Sequence, residues 1–549
     1  MINTRVIFCG INALLCCVAL RAGAQSFQVQ CPTSTITHPS ALHDNNSEPT
    51  YTGPTTLSTA SATTYQKPTA NVNGAIKCQQ ISGGDGFATM GDGTQIYMFS
   101  FGPLSGLADM AAGKPGTQFP NVFNTPYTGT FLPGDPATTN GAGDAPYSIG
   151  TLDPSGYNGA VGLAPDSDCL ANPACAATMT ANGIVGGING HVDPRPIMDV
   201  GVMNGNQPAP LMAIDEDDEF FLTLTNVGQV MRPDLFEQHT VHFHGYPNAS
   251  AFYDGVPDAS VAINIGGSFT YYYLAPDAGT YFWHCHISPP EHLQMGMVGQ
   301  IYVRPRQNRV PAATTLFAAL QQQQADNRTK CDSTADILCS NPLPAVDTGA
   351  TGGGKYAYND GDGSTAYDVE YPLQIHGFDP NFHFVGMTFN PESFTDMKDK
   401  YFLLNGRSYP DTVNPNPIAT QATDGVMHYA QPMPAVINIP VGKKALLRIS
   451  DLDVTEYQTL ASLGIPMKVI GLNAKLLRDQ AGNNMYYGTN SITLAGGESL
   501  DVILDATDTA KYPVNSVFYL YTPNLDHLSN DAENFGGLMT EVHIVPAAI

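Results

Sequence analysis

The sequence predicts an all-β protein of two Greek-key sandwich or barrel domains, with a loop-rich N-terminal extension and a loop-rich insertion. Three observations carry this. Short runs rich in Val, Ile, Phe, Tyr and Thr recur along most of the chain. Gly and Pro, 54 and 42 of 549 residues, punctuate them as turn signals. One stretch, the Ala/Gln-rich 312–325, reads as a helix. The length suits two or three domains.

In chain order, residues 1–24 read as a secretory signal. Arg5 supplies the positive start, 6–20 the apolar stretch, and Ala22-Gly23-Ala24 a small-residue cleavage site. Cys16 and Cys17 raise a lipoprotein alternative, but Ala13-Leu14-Leu15 lacks the small residues that lipidation wants, so cleavage is favoured. Residues 25–90, rich in Thr, Ser and Pro, read as a loosely structured leader. A first domain is expected over 91–305. It opens with a strand at 95–101 and is interrupted by a Gly/Pro/Ala/Asn-rich insertion at 104–190. Its further strands are expected at 196–203, 219–225, 268–274, 280–284 and 299–303, with turns at 253–257 and 276–279. Residues 306–365 read as a linker whose Gly- and Asp-rich part, 348–363, should be flexible. A second domain is expected over 366–549, with strands at 401–404, 444–449, 467–470, 499–504 and 516–521.

Charge narrows the function. With 23 basic and 49 acidic residues the net charge is −26, which argues against nucleic acid and anionic membrane surfaces as partners. After the signal no apolar run is long enough to span a bilayer. Of ten cysteines, Cys9, Cys16 and Cys17 fall in the signal. Setting Cys285 aside leaves six, an even number that suits disulfides in an oxidising compartment, periplasmic or extracellular. Proximity favours Cys31 with Cys78, Cys169 with Cys175, and Cys331 with Cys339, among fifteen pairings open to six cysteines.

The chemistry concentrates in residues 239–297, which hold six of the fourteen histidines. One string is His239-Thr-Val-His242-Phe-His244-Gly245. The other is Trp283-His284-Cys285-His286-Ile-Ser-Pro-Pro-Glu-His292-Leu-Gln-Met295-Gly-Met297. A thiolate, two imidazoles and a weak thioether make a blue-copper electron-transfer site. His239, Cys285, His292 and Met297 supply that set, with Met295 as a rival axial ligand. His242, His244, His284 and His286 form two H-x-H pairs, and on a strand such a pair points both rings to one face. These four are the candidates for further copper. Zinc also takes Cys and His, but it has no use for a methionine at a fixed offset, and structural zinc sites usually show paired cysteines. His376, His383 and His428 could complete a copper site across a domain or subunit boundary, but they lack this spacing and are favoured as structural or surface residues.

At these residues the chain resembles a multicopper oxidase built from cupredoxin domains. Over 190–305 the resemblance rests on Asn204-Gly205 with Pro208 and Pro210, the H-x-H-G at 242–245, Asp254-Gly-Val-Pro257, and Gly279-Thr-Tyr-Phe-Trp-His-Cys-His286. Over 366–549 it rests on Asn405-Gly-Arg-Ser-Tyr-Pro-Asp-Thr412 and Gly496-Gly-Glu-Ser-Leu-Asp-Val-Ile503. It implies two cupredoxin-like domains, a type 1 copper, and type 2 and type 3 coppers on the H-x-H pairs. Asp254 is implied as the acid that assists proton delivery to oxygen, although capping its own turn is an equal alternative. The implied activity is oxidation of a phenolic or metal-ion reductant with oxygen as acceptor, and a redox protein is a further candidate partner.

The chain departs from the family twice. Six residues separate Cys285 from His292 where the family usually has four. The family's trinuclear centre takes eight histidines, four from each of two domains; here Thr522 stands where the second domain's cysteine would be, and of the loop's histidines only His527 remains, most simply a relic, with reach to a neighbouring subunit's site as the alternative. A homo-oligomer could gather more histidines. The alternatives are an electron-transfer or copper-handling protein without a full trinuclear centre and, third, a copper nitrite reductase. That last family has Asp at the place of His242 and no counterpart of His286.

Overall fold

The structure, a computed structural model, describes residues 29–61, 63–106, 109–110, 114–123, 197, 201–245, 250–275, 277–325, 341–385, 393–421, 425 and 427–547. It is mostly strand. In the first domain, β1 (Ile76–Thr89) and β2 (Gln95–Pro103) pair antiparallel. Next come β3 (Ala209–Asp215), β4 (Glu219–Gly228), β5 (His242–His244), β6 (Ser268–Leu274) and β7 (Gly279–His284). A short helix, α1 (Pro289–Gln294), leads to β8 (Val298–Arg304).

These strands make two four-stranded sheets, ordered β2-β1-β4-β6 and β3-β8-β7-β5. Tyr271 and Tyr273 alternate inward along β6, and with Phe101, Phe220, Leu224, Phe243 and Trp283 they form the core. That alternation is the period-two pattern of a half-buried strand. The sheets pin both histidine strings: β5 and β7 pair in register, setting His242 opposite His284.

Three expectations are corrected. The leader does not extend to residue 90, because β1 is a central, buried strand running parallel to β4. Its Gln, Ser and Gly residues hid a strand that stays buried because neighbouring strands cover it. The strand expected at 196–203 is absent where described: Ile197 and Gly201 are helical and 202–203 form a turn. The described residues of 306–365, including the 348–363 part expected to be flexible, pack against the two domains. Arg306 is buried and pairs with Asp217, while buried Asp360 accepts from Thr365 and Gln307. Charged and glycine-rich composition suggested solvent exposure, but an ion pair at Arg306 and hydrogen bonds to Asp360 hold these buried groups in place.

Within that segment α2 (Leu316–Gln324) forms as expected, N-capped by Thr315. One disulfide is described, Cys31–Cys78, with Cα atoms 5.8 Å apart. The signal at 1–24, most of the insertion, and Cys169, Cys175, Cys331 and Cys339 lie outside the described residues.

The second domain begins with β9 (Val369–Phe378), α3 (Pro380–Val385) and β10 (Tyr401–Leu404). It continues through β11 (Ile437–Pro440), β12 (Lys444–Asp451), β13 (Gln458–Leu463), β14 (Met467–Leu472) and β15 (Lys475–Leu476). Then follow β16 (Tyr487–Thr489), β17 (Ser491–Leu494), β18 (Glu498–Asp505), β19 (Val517–Tyr521) and β20 (Met539–Val545). One sheet runs β10-β9-β12-β18-β14-β15, with β16 also on β14, and the other β11-β20-β19-β13-β17. Leucine, isoleucine and valine side chains from both fill the core.

Buried polar contacts lock the domains together. Glu370 on β9 accepts from Arg304 at 2.7 Å and from Arg448 on β12 at 3.1 Å. Thr280 on β7 donates to Asp501 on β18 at 2.6 Å, and Gln300 donates to the Arg448 carbonyl at 2.8 Å. This docking carries the 452–457 and 495–497 loops over the H-x-H face. Among the described residues no helix is long and apolar enough to cross a membrane.

Candidate metal centre

The first cluster is built where β7 ends. His239, Cys285 and His292 are fully buried, and one ligand atom from each lies within 4.8 Å of the others. Chain geometry closes the loop on itself. Cys285 N–H donates to the Met297 carbonyl at 3.2 Å, and Met297 N–H donates to the His292 carbonyl at 2.9 Å. The longer spacing is taken up by α1, whose Pro289 and Pro290 start it and whose fourth residue is His292. Met297 and Met295 are both buried in the core that contains Cys285.

The donor set suits a soft metal. Cys285 is the one free cysteine among the described residues. Burial opposes ionisation of its thiol, but His292 and His239 outweigh burial and hold it well below the ordinary thiol range. His292 Nδ1 sits 3.3 Å from the sulfur, and the Thr240 N–H points at that sulfur from 3.4 Å. Burial would lower His292, yet the thiolate pushes it up to about 9. Both ring nitrogens of His239 are buried without an oxygen or nitrogen partner while the ring faces Cys285. A buried imidazole so placed beside a thiolate is free to take a metal.

The second cluster is the histidine quartet. Ligand atoms of His242, His244 and His284 lie within 4.8 Å of one another. His286 completes the group, its ring 5.1 Å from that of His242 and 5.6 Å from that of His284. Burial lowers His242 and His244 from the ordinary value and lowers His284 to about 3, with repulsion from neighbouring imidazoles adding to it. Neutral rings keep a lone pair for a metal. His284 donates Nδ1–H to the Cys285 carbonyl at 2.7 Å, and His242 donates Nδ1–H to the Asp254 carbonyl at 2.7 Å. Such backbone acceptors fix which nitrogen remains for a metal.

All four rings line a cavity of about 610 Å³. Its opposite wall is second-domain: Leu452, Asp453, Val454, Thr455, Glu456 and Tyr457, with Gly496 and Gly497. Among the described residues, no histidine of the second domain lines it.

The structure places the other expected residues as follows. Asp254 caps a short helical turn, its carboxylate 3.6 Å from His242 Nδ1, so it touches the quartet as well as its own turn. His376 is buried and donates Nδ1–H to the Leu452 carbonyl; His383 sits between the carbonyls of Tyr97 and Gln294. His428 is also buried. His527 stacks on Phe402, ring centroids 3.8 Å apart, and is bonded to Gln458 and Glu456.

Sequence reasoning missed Glu237, whose carboxylate lies 3.5 Å from His292 Nε2 and is partly exposed. Its position two residues before His239 was the available signal, since alternate residues of an extended chain share a face.

Residues 189–308 match the family model for multicopper oxidases. Laccase abr2 of Aspergillus fumigatus is 32% identical over 128 residues, 23% of this chain and 20% of its own length. Multicopper oxidase MmcO of Mycobacterium tuberculosis is 31% identical over 140 residues, covering 24% of each chain. A copper-containing nitrite reductase of Rhizobium meliloti is 35% identical over 109 residues, 19% of this chain and 26% of its own length. The chain thus spans only about a fifth to a quarter of the length of these relatives. Among solved structures, the blue copper oxidase of Nitrosomonas europaea aligns over 62% of this chain and 78% of that one, with 21% identity and a TM-score of 0.41.

Proposed function

We propose, for a chain whose residues 189–308 match the multicopper oxidase family model, that it is a copper-dependent oxidase. In this reading His239, Cys285, His292 and Met297 hold an electron-accepting copper, and His242, His244, His284 and His286 hold copper that meets oxygen. Bound copper would supply the one-electron and oxygen chemistry. The reductant is a small phenolic molecule or a metal ion, and the protein is exported.

One observation carries this reading: Cys285 is flanked in sequence by His284 and His286, whose rings line the cavity while the thiol lies in the buried cluster. A few covalent bonds therefore join the two clusters. The chain's own residues do the rest. Glu237 gives buried His292 its polar contact toward solvent. Asp254 positions His242 through its backbone carbonyl and brings its carboxylate to 3.6 Å from the same ring nitrogen.

A second reading is favoured by the cavity's far wall, which carries Asp453 and Glu456 but no histidine. It is an electron-transfer or copper-handling protein without a full trinuclear centre. Copper nitrite reductase ranks third, because that family lacks counterparts of His242 and His286. Oxygen uptake by the copper-loaded protein with a phenol, with ferrous ion and with nitrite as alternative acceptor separates the three. Uptake with either reductant supports the oxidase; copper binding without uptake leaves the electron-transfer reading, and nitrite turnover selects the third.

A further inference from the structure

We propose that Asp399, Thr455 and Asp453 form a proton relay that leads from a second cavity into the histidine cavity. The inference rests on the oxidase reading, since reduction of oxygen to water consumes one proton for each electron.

Placement comes first. Asp453 and Thr455 line the histidine cavity. Asp399 instead lines a separate cavity of about 630 Å³, with Lys398, Lys400, Asp526 and His527. The two carboxyl groups are almost wholly buried and meet between the cavities. A Cβ at Gly377 would overlap Asp399 Oδ2 and come within 2.8 Å of Asp453 Oδ2, so both oxygens occupy one small space.

The hydrogen count then requires a proton there. Thr455 Oγ1 lies 2.5 Å from Asp399 Oδ2 and 2.9 Å from Asp453 Oδ1, yet a hydroxyl has a single hydrogen to donate. Asp453 is the better-satisfied carboxylate: it accepts from the Thr455 and Glu456 backbone N–H groups at 2.8 and 3.2 Å and from Gln458 Nε2 at 2.6 Å. Asp399 accepts one other bond, from Gln294 Nε2 at 3.0 Å. The proton therefore resides on Asp399, whose O–H donates to Thr455, whose O–H donates in turn to Asp453. Burial and the facing Asp453 both push the Asp399 carboxyl well above the usual range. Asp453 also acts through space on His376, and it adds to the burial that pushes Asp451 well above the usual range.

The step balances. The Asp399 O–H bond breaks and its proton joins Thr455 Oγ1, while the hydroxyl's own proton passes to Asp453 Oδ1. One proton moves and no electron does. Asp453, now neutral, faces the histidine cavity; Asp399 recovers a proton from water in the outer cavity.

The test uses full-length copper-loaded protein. Infrared spectra in ordinary and heavy water, each with the Asp399→Asn spectrum subtracted, should leave a protonated-carboxyl band at neutral pH for wild type and for Thr455→Val. Thr455→Val, which keeps the shape, should slow oxygen turnover about tenfold or more and enlarge the solvent isotope effect, with KM for the reductant unchanged. Absence of the carboxyl band overturns the proposal whatever the activity. A band present with unaltered turnover and isotope effect in Thr455→Val overturns the relay. A band in a wild type that consumes no oxygen overturns the oxidase reading, and with it the relay's purpose, but leaves the shared-proton pair standing.

Discussion

His284 donates its Nδ1–H to the carbonyl of its neighbour Cys285 at 2.7 Å, leaving Nε2 toward the histidine cavity. One residue thus ties the ring's orientation to the backbone of the thiol beside it. The two clusters are coupled by construction, and separate substitutions should still resolve them.

His284→Ala and His286→Ala are expected to lower copper content while keeping the blue thiolate band. Oxygen turnover should fall by more than about a hundredfold, since even the partners of metal ligands typically matter 10- to 100-fold. Metal analysis beside the visible spectrum checks this. Loss of the blue band in both variants would mean the two clusters are one site.

Met297→Leu should change the blue band and the reduction potential, while Met295→Leu should leave both nearly unchanged, because a weak axial thioether tunes such a site. Both methionines are buried in the same core, so loss of packing is similar in the two variants. A shift confined to Met295→Leu would reverse the assignment.

Acid should loosen the domain interface. Burial alone would raise Glu370, but Arg448 and Arg304 outweigh it and hold the carboxyl at about 2, against an ordinary 4.5. A depressed carboxyl stabilises the fold fully above the unfolded value and loses that contribution as pH falls through the folded value. The window is therefore about pH 4.5 down to 2, and the contribution is of order 3 kcal/mol. Denaturation at pH 6 and at pH 3 should show the loss in wild type and a flatter profile in Glu370→Gln. Equal slopes in the two proteins would exclude Glu370 as the titrating group.

Trp283 is the only tryptophan in the chain and is fully buried. Its ring packs on Gly299, where an added Cβ would lie 2.5 Å from it. Gly299→Ala should cost about 1–3 kcal/mol by overpacking and shift the tryptophan emission. An unchanged spectrum and midpoint would show that the ring can retreat freely.

Much of this was legible in the sequence. The strands at 268–274 and 401–404 were bounded correctly because alternation and flanking turn residues marked them. His239, Cys285 and His292 were legible as a set because their residue types and offsets match one metal's needs. β1 was not, since Gln, Ser and Gly carry no apolar period and only neighbouring strands explain its burial. The described part of 306–365 misled for the opposite reason: Arg306 and Asp360 look solvent-exposed by type but are buried, one paired with Asp217 and the other hydrogen-bonded by Gln307 and Thr365. Nor could local pattern place Asp453 and Thr455 in one cavity with His242, because that cavity is formed by docking of two domains far apart in sequence.

The most direct measurement is copper content per chain together with optical and paramagnetic resonance spectra of the loaded protein and of Cys285→Ser. More than one copper per chain is expected in wild type, one of them giving an intense thiolate band that disappears in Cys285→Ser while the remaining copper stays bound. A band that survives Cys285→Ser, or a wild type that takes up no copper, would contradict it.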